Sequence, residues 1–255
     1  MDTAVKEGKY IYCIIDSDQP QSFGPLGIGG RGDDLYTICF NDISAVVSNA
    51  PLKKYRVSRE NSLTHEKAIE MAMTRYTALP VRFATVAEDR EKVKRILERE
   101  HDKFKEMLNH VKDRTELGLK AVFKEKPIYE DILEKYGNIK LLKEKLATLT
   151  PEKSHYQRVQ IGRMVEEALQ KEKQIIKADI LNTLNPLAAE VKNNDTYGEL
   201  MIINAAFFVE KKKEADFDRE VQGLGERYSE KITFKYVGPL PPFNFVDIRI
   251  NTEDY

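Results

Sequence analysis

Leu200-Met201-Ile202-Ile203-Asn204-Ala205-Ala206-Phe207-Phe208-Val209 decides the fold class. Apart from Asn204 the run is apolar on both faces of a strand, so it reads as a strand covered on both sides or a central one. Downstream, Phe217, Val221, Leu224 and Tyr228 fall at helical spacing and make one apolar stripe on a charged helix. Ile232, Phe234 and Tyr236 then alternate with more polar residues, a half-buried strand. Strand, helix and strand with short joins imply a crossover onto one sheet.

Gly238-Pro239-Leu240-Pro241-Pro242-Phe243-Asn244-Phe245-Val246 follows. Proline cannot donate to a ladder, so Pro239, Pro241 and Pro242 are expected to end the strand and stiffen the exit. Pro241, Pro242, Phe243 and Phe245 are the candidate anchors of this tail. Its aromatic side chains either fold back onto the protein's own core or bind a partner.

The chain ahead of this region reads in order. Tyr10 to Ile15 is a first strand, and Asp16 to Gly32 a loop. Leu35 to Phe40 and Ile43 to Val47 are strands joined by the tight-turn pair Asn41-Asp42. Ser62 is expected to cap a helix with His65, Ile69, Ala72, Met73 and Tyr76 on one face. Leu79 to Val86 reads as one more strand, and Glu88-Asp89 open the next helix, where negative charge suits the dipole. Leu117 to Phe123 alternates as a strand and is assigned to a second sheet with Leu200 to Val209. Pro127 marks a short helix ending near Gly137, and Thr150-Pro151-Glu152 starts a long one ending at Asn185-Pro186. The expected fold is α+β in two domains. The first, 1–112, is a ferredoxin-like variant; the second, 113–255, is helix-rich with a small sheet and the Pro-rich tail.

Composition narrows the function. Charged residues make up 33% of the 255, yet the net charge is −1. Both signs are mixed along helices, which argues against a nucleic-acid partner. No run approaches the ~20 apolar residues of a membrane span, and Met1 to Lys9 is polar rather than signal-like. A cytoplasmic protein is expected; Cys13 and Cys39, both in apolar strand-like runs, read as buried free thiols in a reducing compartment, with a disulfide between neighbouring strands as the alternative.

Chemistry is sparse. Gly27-Ile28-Gly29-Gly30-Arg31-Gly32 matches a dinucleotide pattern, but it lies well past the first strand and precedes a strand, not a helix. His65-Glu66 lacks the second histidine of a zinc protease, and His65, His101, His110 and His155 have no metal-ligand spacing. No catalytic residue, cofactor or metal is assigned. The competing reading is an enzyme or ligand-binding regulatory module using the loop Gly24 to Gly32.

Three stretches carry a resemblance. The Gly238 to Phe245 ending after a strand-helix-strand unit resembles the gas vesicle protein L/F family. Tyr10 to Ile15 resembles that family's aromatic first strand. His65-Glu66 with Leu79-Pro80-Val81-Arg82-Phe83-Ala84-Thr85-Val86 resembles its middle signature, where glycine is commoner than Ala84. The resemblance implies an accessory or minor structural protein that associates with the small hydrophobic shell protein, and with other gas vesicle accessory proteins, during nucleation or assembly. It brings no catalytic residues. Within this reading, Tyr10, Tyr12, Tyr36 and Phe40 on the first sheet are the candidate partner contacts, accepting an added strand. The tail is then mainly structural.

Overall fold

The computed structural model describes residues 6–147 and 155–255. Two compact units emerge. One joins the residues up to Glu116 with Pro239–Tyr255; the other is Leu117–Gly238. The α+β class and the two sheets match the sequence reading. The tail does not stay with the second domain, as 113–255 required, but completes the first unit.

In the first unit β1 (Glu7–Ile15), β2 (Ser22–Gly24), β3 (Leu35–Phe40) and β4 (Ile43–Pro51) precede α1 (Arg59–Met73). Then come β5 (Ala78–Pro80), β6 (Val86–Ala87), α2 (Arg90–Arg99) and α3 (His101–Val111). The sheet order is β2-β3-β4-β1-β5, and β6 also pairs with β1. The two-residue turn between Phe40 and Ile43 forms as read, with Asn41 at φ 49, a left-handed conformation that asparagine tolerates. The β1–β4 register slips between Ile11 and Cys13, leaving Tyr12 as a bulge. A one-residue insertion reverses the facing of everything after it. Tyr10 and Tyr12 therefore share one core with Cys13 and Ile15, against Ala68, Ile69 and Ala72 of α1.

Local starts and stops explain the remaining departures. Ser58, not Ser62, caps α1, its Oγ accepting from the Asn61 amide at 3.2 Å. The expected strand Leu79 to Val86 is broken into β5 and β6, because Ala84 turns the chain at φ 68. The segment still runs along β1. Val81 N–H donates to the Tyr12 carbonyl at 3.0 Å, and Ile11 N–H to Thr85 O at 2.9 Å.

The second unit holds β7 (Arg114–Phe123, shared at its start with the first), α4 (Glu125–Lys135), α5 (Gly137–Ala147) and α6 (His155–Leu184). It continues with β8 (Ala188–Asn193), β9 (Met201–Glu210), α7 (Glu214–Arg227) and β10 (Ile232–Leu240). Its sheet order is β10-β7-β9-β8. The end of β7 meets the starts of both neighbours: Phe123 N–H donates to Leu200 O and Lys124 N–H to Lys231 O. Strands β9 and β10 thus flank β7, and the crossover between them carries α7, whose Phe217, Val221 and Leu224 are buried as their spacing requires. The long α6 buries Ala168, Leu169, Ile180 and Leu184 in the same core. The expected start of this helix, Thr150-Pro151-Glu152, lies outside the described residues. Strand β10 runs on through Gly238 and Pro239 to Leu240, past the expected stop, because an edge strand loses nothing when an outward N–H is missing.

The tail then packs in the first unit. Val246 and Ile248 are buried, and Ile248 forms a parallel bridge with Val81. Glu116, 2% exposed, accepts from the Asn244 amide at 2.9 Å and from its side-chain Nδ2 at 2.6 Å. Two side-chain changes test this arrangement. Ala84→Gly removes the left-handed cost of a Cβ and should raise stability by about 1 kcal/mol, measured by denaturant unfolding; no gain would contradict the strained turn. Asn244→Ala strips one donor from a buried carboxylate and should cost about 2 kcal/mol; an unchanged midpoint would contradict the latch.

Candidate functional site

The segment that resembles the family's middle signature meets α1, β1 and the tail around one buried histidine. His65 is 3% exposed on the inner face of α1. Its Nε2 lies 3.1 Å from the Val81 carbonyl and its Nδ1 3.2 Å from the Tyr10 hydroxyl. A carbonyl only accepts, so the proton sits on Nε2, and Tyr10 donates to Nδ1. The Tyr10 oxygen in turn accepts from the Ala84 amide at 2.8 Å. Beside it, Tyr12 accepts from the Ile28 amide at 2.7 Å and pairs with Ser48 Oγ at 2.9 Å. The rings of Tyr10, Tyr12, Phe83 and Phe243 all lie within 6.3 Å of the imidazole. Burial holds the His65 pKa down, to about 4, and pushes both tyrosines up, Tyr12 to about 12. The imidazole is neutral at physiological pH and its hydrogen bonds are structural.

This geometry corrects the expected partner contacts. Tyr10 and Tyr12 have no exposed surface, and β1 lies between β4 and β5, not at an edge. They cannot touch an added strand. Tyr36 and Phe40 are half-buried on β3, beside the short edge strand β2. The Tyr36 ring lies under the Lys9 ammonium and its hydroxyl donates to Asn49 Oδ1. Phe40 packs on the His101 ring, and His101 and Lys105 both bind Asp42 in the adjoining turn. Lys105 first and His101 second hold the Asp42 carboxyl down to about 2. Of the tail anchors, Pro241 and Pro242 are buried, Phe245 is half-buried, and Phe243 covers His65 with 43% of its surface still exposed. Sequence reasoning missed the imidazole as the centre of this junction, since nothing in His65-Glu66 announces which carbonyl and hydroxyl will meet it.

The glycine loop turns inward. Ile28 is fully buried and spends its amide on Tyr12, while Gly27 N–H bonds Asp33 O at 2.8 Å. The loop leads into β3, not into a helix as the dinucleotide pattern requires. Among the described residues no group of three or more His, Cys, Asp or Glu side chains is arranged to hold a metal, and no helix is long and apolar enough to cross a membrane.

Next to the junction opens a cleft of about 830 Å³. Leu52 to Tyr55, Arg82 to Val86 and Arg249 to Glu253 of the tail line it. Arg82 Nε contacts Asp247 at 3.2 Å, and Arg249 grips the same carboxylate through Nη2 at 2.7 Å. Arg249 first, then Arg82, lowers the Asp247 pKa. Lys53 lies over the Tyr55 ring. Neither Lys53 nor Lys54 has a carboxylate partner among the described residues.

Because the folded imidazole resists protonation, acid works against the first unit. The unfolded chain takes up the proton near pH 6.5, the folded one only near pH 4. The His65 contribution is therefore fully present above pH 6.5 and lost as pH falls toward 4, a loss of about 3 kcal/mol. His65→Gln should start from a lower stability but flatten the slope over this window in thermal unfolding; parallel curves for both proteins would contradict the assignment.

Comparison with known proteins gives the architecture a context. The family model described as gas vesicle synthesis protein GvpL/GvpF matches residues 8–247. Gas vesicle protein F of Nostoc sp. is 26% identical over 249 residues, covering 96% of this chain and 100% of that protein. Gas vesicle protein L1 of Halobacterium salinarum is 23% identical, covering 96% and 92%. The crystal structure of the gas vesicle protein GvpF from Anabaena sp. superposes with a TM-score of 0.81 at 26% identity, over 96% of this chain and all of that one. With the match running from the aromatic first strand through the Pro-Pro-Phe-Asn-Phe tail, this chain belongs to the GvpL/GvpF family of gas vesicle synthesis proteins.

Proposed function

We propose that the protein is a cytoplasmic accessory or minor structural component of gas vesicle formation that binds the hydrophobic shell protein during nucleation or assembly. It works by contact, not catalysis. Family membership supports the gas vesicle role. The observation that supports the mode of action is the apolar surface of the first unit. Val57 just before α1 is 82% exposed, Leu63 and Met71 on α1 are 43% and 41% exposed, and Phe243 of the tail adds 43%. A shell protein that lines a gas space exposes apolar surface until it assembles, and exposed apolar side chains are what meets it. These residues replace Tyr10 and Tyr12 as the proposed contacts, with Tyr36 and Phe40 still available beside the edge.

A fragment ending near Lys112 does not test this, since it lacks the tail that completes the unit. The full chain does. Leu63→Glu with Met71→Glu should abolish co-purification with the shell protein from vesicle-forming cells, while Tyr156→Glu with Val159→Glu on α6 should leave it intact. Both pairs are exposed, so melting temperatures should stay within a few degrees. Capture lost only through the α6 pair would place the contact on the second unit and refute the proposal.

A further inference from the structure

The basic cleft has no role in the apolar contact just proposed, yet it is assembled from three separate parts of the chain. Lys53 and Lys54 come from the segment after β4, Arg82 from the break between β5 and β6, and Arg249 from the tail. Glu253 and Asp247 are the acidic groups beside them. The cations outnumber these acids, in a chain whose net charge is −1. Asp247 fixes two guanidiniums without using all their donors. Arg82 gives it only Nε, so its terminal nitrogens are not spent on this carboxylate. At 830 Å³ the volume lies within the range of about 300–1000 Å³ that binding sites occupy.

The backbone supplies a second observation. The bridge between Val81 and Ile248 ends with Arg82 N–H on Ile248 O. Beyond it Arg249 and Ile250 run on without a backbone hydrogen bond among the described residues. Main chain with open N–H and C=O groups, beside these cations, is complementary to an extended chain carrying carboxylates. Such a segment places every second side chain on one face. Its main chain adds to the open edge while its acids meet Lys53, Lys54 and Arg82.

We propose that this cleft binds an extended acidic segment of a protein partner. The proposal rests on the first unit being the partner-facing part of the molecule, but not on the partner being the shell protein. A free phosphate satisfies the cations and leaves the edge unused; a nucleic acid calls for a wider basic surface than this one.

The probe is a fluorescein-labelled octapeptide of alternating Glu and Thr, titrated into the full-length protein and followed by fluorescence anisotropy. Saturable binding that weakens as salt rises is expected. The peptide with Gln in place of Glu should bind at least tenfold more weakly, and Lys53→Ala with Lys54→Ala should weaken the Glu peptide about tenfold without moving the melting temperature. Equal affinity for both peptides, an unaffected lysine variant, or no binding at all overturns the proposal. So does displacement of the peptide by inorganic phosphate or by a short RNA at comparable concentrations. Shell-protein capture is measured on the same lysine variant and on the Leu63→Glu, Met71→Glu chain. If the latter still captures the shell protein while peptide binding behaves as expected, the apolar reading fails and the acidic-segment reading stands.

Discussion

One buried imidazole sets the geometry of the first unit. His65 can make its two hydrogen bonds only if α1 brings the ring between the Tyr10 hydroxyl and the Val81 carbonyl. Either partner left alone in that apolar setting costs the full desolvation of a buried polar group. The bond from Tyr10 therefore fixes β1 against α1, and the bond to Val81 fixes the broken strand against both. Ala84 accepts a left-handed backbone so that its amide can close the same chain of bonds. The bulge at Tyr12 follows the same logic: it offers its carbonyl to Val81 and its hydroxyl to Ser48 and the Ile28 amide, which draws the glycine loop inward.

The tail is organised by this junction. Phe243 closes over His65, Asn244 satisfies the buried Glu116, and Ile248 extends the pairing of Val81. A stretch that is last in sequence is thus a wall of the first unit and the lining of its cleft. The three stretches that carry the family resemblance, far apart in sequence, converge on the same few side chains. That convergence gives a physical reason for their occurring together.

Much of the fold was legible. The apolar run of β9, the stripe of α7, the alternation in β10 and the Asn41-Asp42 turn each follow from local periodicity, and each forms. The departures share a cause: they depend on tertiary partners. A short edge strand such as β8, with Glu190 and Lys192, carries no periodicity to read and forms because β9 is there to pair it. Tyr10 and Tyr12 read as exposed aromatics because alternation gives faces, not which strand is central. The tail's aromatics demanded a dry site, but only long-range packing chooses between the two units. Glu172, buried in α6 with Lys135 and Tyr136, likewise sat unnoticed on a charged helix.

For a protein of the GvpL/GvpF family, this places apolar side chains of α1, an exposed tail phenylalanine and a basic cleft on a single unit whose interior is tightly hydrogen-bonded. A hydrogen-bonded interior beneath a mixed apolar and cationic surface fits the contact role proposed for it. The most direct measurement is the hydrogen-exchange footprint of the full-length protein with and without freshly produced shell protein. Slowed exchange is expected in α1 and in the tail from Phe243 to Glu253, with the second unit unchanged. Protection confined to α5 and α6, or none in the first unit while the shell protein is bound, would contradict it.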